Sequence, residues 1–194
     1  MNIRKFFSQV LGVVESAPQP IVVNKRIPAV LLDLYALNSL LKESILKTDV
    51  RILEANEFYK VDRYTVFAEE SQNVVFWGYV DGNDDSECFQ IGNENPVVAI
   101  PEERNLKDTV LALAVVNSLS SGLFPYYEYL DLEKEYLEHI EARFPRVTEV
   151  SKLPVIIKGG VVCTLQLTDA LFVSAASRNE KELEEFIRSV KESK

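Results

Sequence analysis

Apolar residues recur along this chain with two different periods, and each change of period marks an element. Near the start, Phe6, Phe7, Val10 and Val13 or Val14 fall at helical spacing until Pro18 and Pro20 break the pattern. A second helix is expected over about 28–41. Pro28 suits its first turn, where a missing N–H costs nothing, and Leu31, Leu34, Tyr35 and either Leu37 or Asn38 line one face. The stripe is wide, as on a helix packed against a sheet.

The period then shortens to two. Tyr64–Glu70 (YTVFAEE) and 74–80 (VVFWGYV) are rich in β-branched and aromatic residues and predict a hairpin, with Ser71, Gln72 and Asn73 as its tight connection. The polar stretch DGNDDSE (81–87) leads to a third strand, CFQI (88–91), which completes an antiparallel meander. PVVAIP reads as a short extended piece closed by Pro101. A helix follows from about 106 to 120, with Asn105 and Asp108 as an N-terminal cap pair and Gly122 placed to end it at positive φ. This helix is apolar nearly all round and is expected to be buried.

Beyond FPYYEYL, the acidic segment DLEKEYLEHIEARF (131–144) reads as a helix ended by Pro145. Three strands are expected next, joined by two-residue turns at Gly159-Gly160 and Thr168-Asp169. A final helix opens on a capping-box pattern, Ser177 with Glu180, and offers Leu183, Phe186, Ile187 and Val190 as its apolar face. The expected fold class is α+β, an antiparallel sheet with helices packed against it, in a single domain spanning 1–194.

Composition changes this picture only at its margins. With 194 residues, 47% hydrophobic and 26% charged, the chain can bury a real core, which excludes a disordered reading. No apolar run approaches the roughly 18 residues that span a bilayer. The opening MNIRKFFSQVLGVVESA has two basic residues before an apolar patch, but Ser8, Gln9 and Glu15 interrupt it, so an amphipathic helix is expected rather than a secretion signal. Cys88 and Cys163 form no disulfide framework, and the cytoplasm is the expected compartment. Lys plus Arg number 21 against 30 for Asp plus Glu, a net charge of -9. Such a surface repels phosphate backbones and anionic membranes, so neither nucleic acid nor membrane is an expected partner.

Candidate chemistry is sparse. The one histidine, His139, lies in the acidic segment, where a solvated role is expected, and one His with two distant Cys makes no usual zinc site. The chain has no G-x-S-x-G nucleophile elbow and no phosphate-cradling loop, and no cofactor or metal is expected. Carboxylates are the only concentrated polar group. Glu69 and Glu70 are neighbours on a strand and so point to opposite faces. Asp81, Asp84, Asp85 and Glu87 crowd the next loop with neither EF-hand nor identifiable glycosidase spacing. The loop reads either as a solvated acidic turn or as one edge of an anionic docking surface. Trp77, flanked by Phe76 and Tyr79, is a core or rim aromatic or an interface anchor.

The segment VRILEANEFYKVDRYTVFAEESQNVVFWGYVDGNDDSECFQI resembles the core signature of the SUKH superfamily, which includes bacterial immunity proteins and fungal cell-wall glucan-synthesis regulators. The residues that carry the resemblance are Pro28, Leu31 and Tyr35 in the preceding helix, then Ile52-Leu53, Phe67 to Gln72, Val74 to Gly78 and the acidic pair Asp84-Asp85. It covers about 26–122, departs at Ser71, where many members have Asn, and leaves 123–194 (helix, three-strand meander, final helix) far less diagnostic. Three functions follow as expectations. The resemblance implies a non-catalytic binding module that neutralises a toxin; the acidic surface fits a basic toxin domain such as a nuclease as its protein partner, with Glu69, Glu70, Trp77, Asp81, Asp84, Asp85 and Glu87 as expected contacts, joined by the acidic segment Asp131 to Glu141. It equally admits an intracellular regulator or scaffold of the same fold. The residues alone leave room for an enzyme acting on a small cationic or metal-bound substrate through Glu69, Glu70, Asp81 and Asp84. The binding module is the leading expectation, and catalysis is not expected.

Overall fold

The aromatic and β-branched runs at the centre of the chain form the middle of an antiparallel sheet. The structure is a computed structural model that describes residues 3, 7–8, 27–80, 82–144 and 155–192. Its elements are α1 (Ala29–Asn38), β1 (Val50–Ile52), β2 (Tyr59–Val61), β3 (Tyr64–Glu70), β4 (Val75–Tyr79), β5 (Glu87–Gly92), β6 (Ala99–Asn105), α2 (Leu106–Ser120), β7 (Tyr126–Leu132), α3 (Tyr136–Arg143), β8 (Val155–Lys158), β9 (Val161–Leu167), β10 (Leu171–Ser177) and α4 (Glu180–Lys191). The fold is α+β, with two antiparallel sheets. The expected first helix and its proline break lie outside the described residues apart from Ile3, Phe7 and Ser8, which are helical. The chain divides into two compact units, Ser16–Ser121 and Met1–Glu15 with Gly122–Lys194. No helix among the described residues is long and apolar enough to cross a membrane.

In the unit Ser16–Ser121 the strands run β1-β3-β4-β5-β6, with β2 also paired to β3. β3 and β4 are the expected hairpin, with Thr65 opposite Tyr79 and Glu69 opposite Phe76. On one face Leu53, Tyr64, Val66, Phe76, Phe89 and Ile91 bury together. Gly78 belongs to this packing. A Cβ there would lie 2.7 Å from Ile91 Cδ1 and 3.0 Å from the Thr65 carbonyl oxygen, so a larger residue fits only if Ile91 and the β3 backbone shift.

The helices follow their sequence signals closely. The Asn105 side chain accepts from the Asp108 N–H at 2.9 Å to open α2, and Gly122, at φ +81°, follows its end. Buried on most of its surface, α2 packs against β5, β6 and α1. The short strands β1 and β2 were not anticipated. Nor did the extended piece close at Pro101. β6 runs through it to Asn105, because β6 is the edge of its sheet and an edge strand can spare the N–H that proline lacks.

In the second unit the strand order is β7-β10-β9-β8. The β8–β9 turn is the expected two-residue Gly159-Gly160, between paired Lys158 and Val161. Three expectations need correction here. The acidic helix is shorter than expected: residues up to Leu132 are strand β7, where the alternate residues Leu130 and Leu132 pack into the core, and α3 starts only at Tyr136. Pro145, expected to end that helix, lies outside the described residues. The β9–β10 connection has three residues, since Leu167 pairs with Leu171 and the Thr168 N–H donates to the Ala170 carbonyl. The cap of α4 is Asn179, not Ser177: the buried Ser177 hydroxyl donates to the Gly160 carbonyl, whereas the Asn179 side chain accepts from the Lys181 N–H. The apolar face of α4 is as expected, with Leu183, Phe186, Ile187 and Val190 all buried against Ile156, Cys163, Leu165 and Val173.

Candidate functional site

Strand register decides which of the candidate residues share a surface. Trp77 on β4 pairs with Ala68 on β3 and with Gln90 on β5, and Gln90 pairs with Ile100 on β6. Directly opposed residues point the same way, so Ala68, Trp77, Gln90 and Ile100 form one row across the sheet. The half-buried indole donates from Nε1 to Glu102 Oε1 at 3.1 Å, and Gln90 Nε2 donates to the same oxygen at 2.7 Å. Arg104 pairs with Glu102 Oε2 at 3.4 Å. The Glu102 side chain is only 2% exposed, so this carboxylate is satisfied by its neighbours and serves to hold the indole in place. Around the row, Ile100 is 60% exposed and Val98 46%. Val98 continues this side of the sheet, since its carbonyl accepts from the N–H of Gly92, two residues beyond Gln90.

Glu69 lies on the opposite face. It pairs in register with Arg51, accepts from Arg51 at 3.3 Å and from the Tyr59 hydroxyl at 2.9 Å, and Arg51 also bonds Glu57. Burial raises the Tyr59 phenol above its ordinary range, and the Glu69 carboxylate it donates to raises it further. The Glu57 carboxyl is lowered, first by the Glu54 N–H it accepts from and then by Arg51. Glu70 points away from Glu69, as the strand period requires, and its Oε2 is buried with no hydrogen-bond partner among the described residues.

The acidic loop separates into different roles. Asp81 lies outside the described residues. Asp84 is not a free surface charge: its Oδ1 accepts from the Val30 N–H at 2.9 Å, at the start of α1, and its carbonyl accepts from the Lys107 N–H. Pro28 occupies the cap position of α1 and supplies no side-chain acceptor, so an aspartate 54 residues away takes that role. Asp85 and Glu87 are exposed. The six candidate contacts among the described residues therefore do not form one patch. Glu69 belongs to one face, Trp77 and Glu70 to the other, and the loop acids lie beyond the far end of β4 from Val74.

Sequence reasoning missed Glu102, Gln90, Arg104 and Ile100. Trp77 and Glu102 are 25 residues apart and meet only through two strand pairings, which no local spacing reveals. The available signal was the charged stretch Glu102–Arg104 within an otherwise strand-like run. Elsewhere, His139 is exposed, and among the described residues no group of three or more His, Cys, Asp or Glu is placed to hold a metal ion. Both cysteines are free and buried. Burial pushes the Cys88 thiol up to about 12, and Cys163 is raised for the same reason.

In comparison with known proteins, the chain matches no family model, no curated protein and no solved structure.

Proposed function

We propose that this chain is a non-catalytic protein-binding module of the SUKH immunity type, which neutralises a toxin domain by covering it. The observation that carries the reading is the row Ala68–Trp77–Gln90–Ile100: an indole fixed by Glu102, in one row with exposed Ile100 and close to exposed Val98. A held aromatic among exposed aliphatic residues suits an interface centre, because tryptophan loses little freedom there and hot spots are enriched in it. Exposed Asp85 and Glu87, and the chain's net charge of -9, favour a basic partner and speed its encounter. A nuclease toxin fits that description, since it must present a basic groove to phosphate. The module acts in the cytoplasm, where free thiols such as Cys88 and Cys163 persist.

The test is capture of a partner by the tagged chain from cells that carry its gene, followed by amide exchange on the purified complex. Slowed exchange in β4, β5 and β6 around Trp77 is the expected footprint, together with loss of the partner's toxicity. A footprint elsewhere, or turnover of a small substrate by the chain alone, would overturn the reading.

A further inference from the structure

A second surface lies wholly within the unit that carries β7 and α4. Among the described residues β7 pairs with β10 and with no other strand, so alternate residues along its outer edge turn main-chain N–H and C=O groups away from the sheet. Edge strands are commonly blunted by lysine, proline or a bulge. The sequence of β7, YYEYLDL, contains no lysine and no proline, and its pairing with β10 is unbroken over seven residues. Tyr126, Tyr127 and Tyr129 are 36%, 49% and 52% exposed.

Beside this edge, the first part of β7 and one stripe of α4 enclose a cleft of about 680 Å³. That volume is within the roughly 300–1,000 Å³ of ligand-binding clefts. Leu183 and Ile187 provide apolar lining, and Tyr126 and Glu128 share the helix-facing side of β7 with Leu130. The charged lining is unbalanced, with Glu128, Glu180, Glu184 and Glu192 against Arg188 and Lys191. No hydrogen bond or ion pair engages the Glu128 or Glu184 side chain among the described residues.

We infer that this cleft takes an extended basic segment of a partner protein, which adds to β7 as a further antiparallel or parallel strand. Its main chain meets the open edge, and on its helix-facing side an apolar side chain rests on Leu183 and Ile187 while a lysine or arginine two positions along faces Glu128 and Glu184. A strand beside a helix is a recurring way to hold an extended peptide, with affinity from the main chain and selectivity from alternate side chains. A second copy of this chain is the weaker occupant. Pairing β7 with itself would join two strands that each carry Glu128 and Asp131 and no basic residue, and like charges on adjacent strands are unfavourable. The inference uses no residue of the Trp77 face and stands apart from it.

The experiment uses the full chain and a fluorescein-labelled peptide of repeating Val-Thr-Lys-Thr, which puts valine and lysine in turn on one side of an extended strand and is long enough to pair with all of β7. Peptides with glutamate for lysine, and with alternate main-chain nitrogens methylated, serve as comparisons. The basic peptide is expected to bind and to slow amide exchange within Tyr126–Leu132. Glu184→Lys is expected to weaken it by about ten-fold or more, as for loss of a close charge pair at a desolvated rim. Glu185→Lys makes the same charge change on the same helix off the cleft lining, and is expected to leave binding within about two-fold, as for a distant charge screened by salt. Retained melting temperature shows that each variant is folded. Equal binding of the acidic or methylated peptide, equal weakening by the two variants, protection outside β7, or self-association through β7 that excludes the peptide would each overturn the inference.

Discussion

The two units bury their helices by different means. In the unit Ser16–Ser121, polar side chains are built into the interior. Asn117, fully buried on α2, accepts from the Val50 N–H and donates to the carbonyls of Ile45 and Val50, so one amide fixes the entry into β1. Asp84 caps α1, and Glu102 holds Trp77. The unit that carries α4 instead packs that helix through Leu183, Phe186, Ile187 and Val190 and leaves its charges outside. The contrast explains their sequences. A helix surrounded by protein can be apolar on every side and still need a single exact polar contact, whereas a helix lying on a sheet needs only an apolar stripe. Stability in the first unit should therefore depend on individual hydrogen bonds, and in the second on volume.

Each unit carries its own reporter, since Cys88 lies in the first and Cys163 in the second. Thiol labelling in urea, read separately for the two cysteines, follows each unit. The largest expected effect is that of Asn117→Ala. It strands three buried main-chain groups at about 1–3 kcal/mol each, and a loss of about 4 kcal/mol at Cys88 is expected. A loss below about 1 kcal/mol would break the comparison, because partners so easily replaced are not structural. Next is Leu183→Ala, expected to cost about 3 kcal/mol at Cys163, with Leu183→Met costing less than about 1.5 kcal/mol because volume is conserved. A methionine as damaging as alanine would mean that shape, not volume, governs this core.

A smaller effect separates the two loop acids. Asp84→Ala is expected to lower stability by about 1 kcal/mol through loss of the α1 cap, while Asp85→Ser stays within about 0.5 kcal/mol. Equal effects would remove Asp84 from its capping role. Stability also depends on alkaline pH. Cys88 is raised from 9.0 to about 12, and Tyr35 is raised from 10.0 by burial. Both favour the protonated, folded state, so their contribution is complete below pH 9 and is lost as pH rises towards the folded value. Urea midpoints at pH 8 and pH 10.5 are expected to differ, with the higher pH less stable. Cys88→Ala should reduce the difference.

What the sequence made legible follows the same physical division. β3 was found to the residue, Tyr64–Glu70, because its composition and the short connection after it are local signals. So were the Asn105 cap and the apolar stripe of α4. β1 and β2 were missed because three residues carry no measurable period. β7 was missed because an edge strand with four exposed residues in succession shows no alternation until Leu130. Among the site residues, Trp77 stood out by type. The capping role of Asp84 did not, because its partner is 54 residues away, and Glu102 reads as one more surface acid until the sheet brings it under the indole.

In the proposed function the Trp77 row anchors a partner and the loop acids only hasten its arrival. Ile100 tests this most directly, because its side chain is 60% exposed and its removal should leave the fold intact. The measurement is the affinity of the captured partner for Ile100→Ala beside that for the double variant Asp85→Ser, Glu87→Ser, with melting temperatures recorded for both. The expected result is a loss of about ten-fold or more for Ile100→Ala, carried by faster dissociation, and a slower, less salt-sensitive association for the double variant. An affinity unchanged by Ile100→Ala, with the whole loss in the acidic variant, would contradict the claim and move the anchor to the β4–β5 loop.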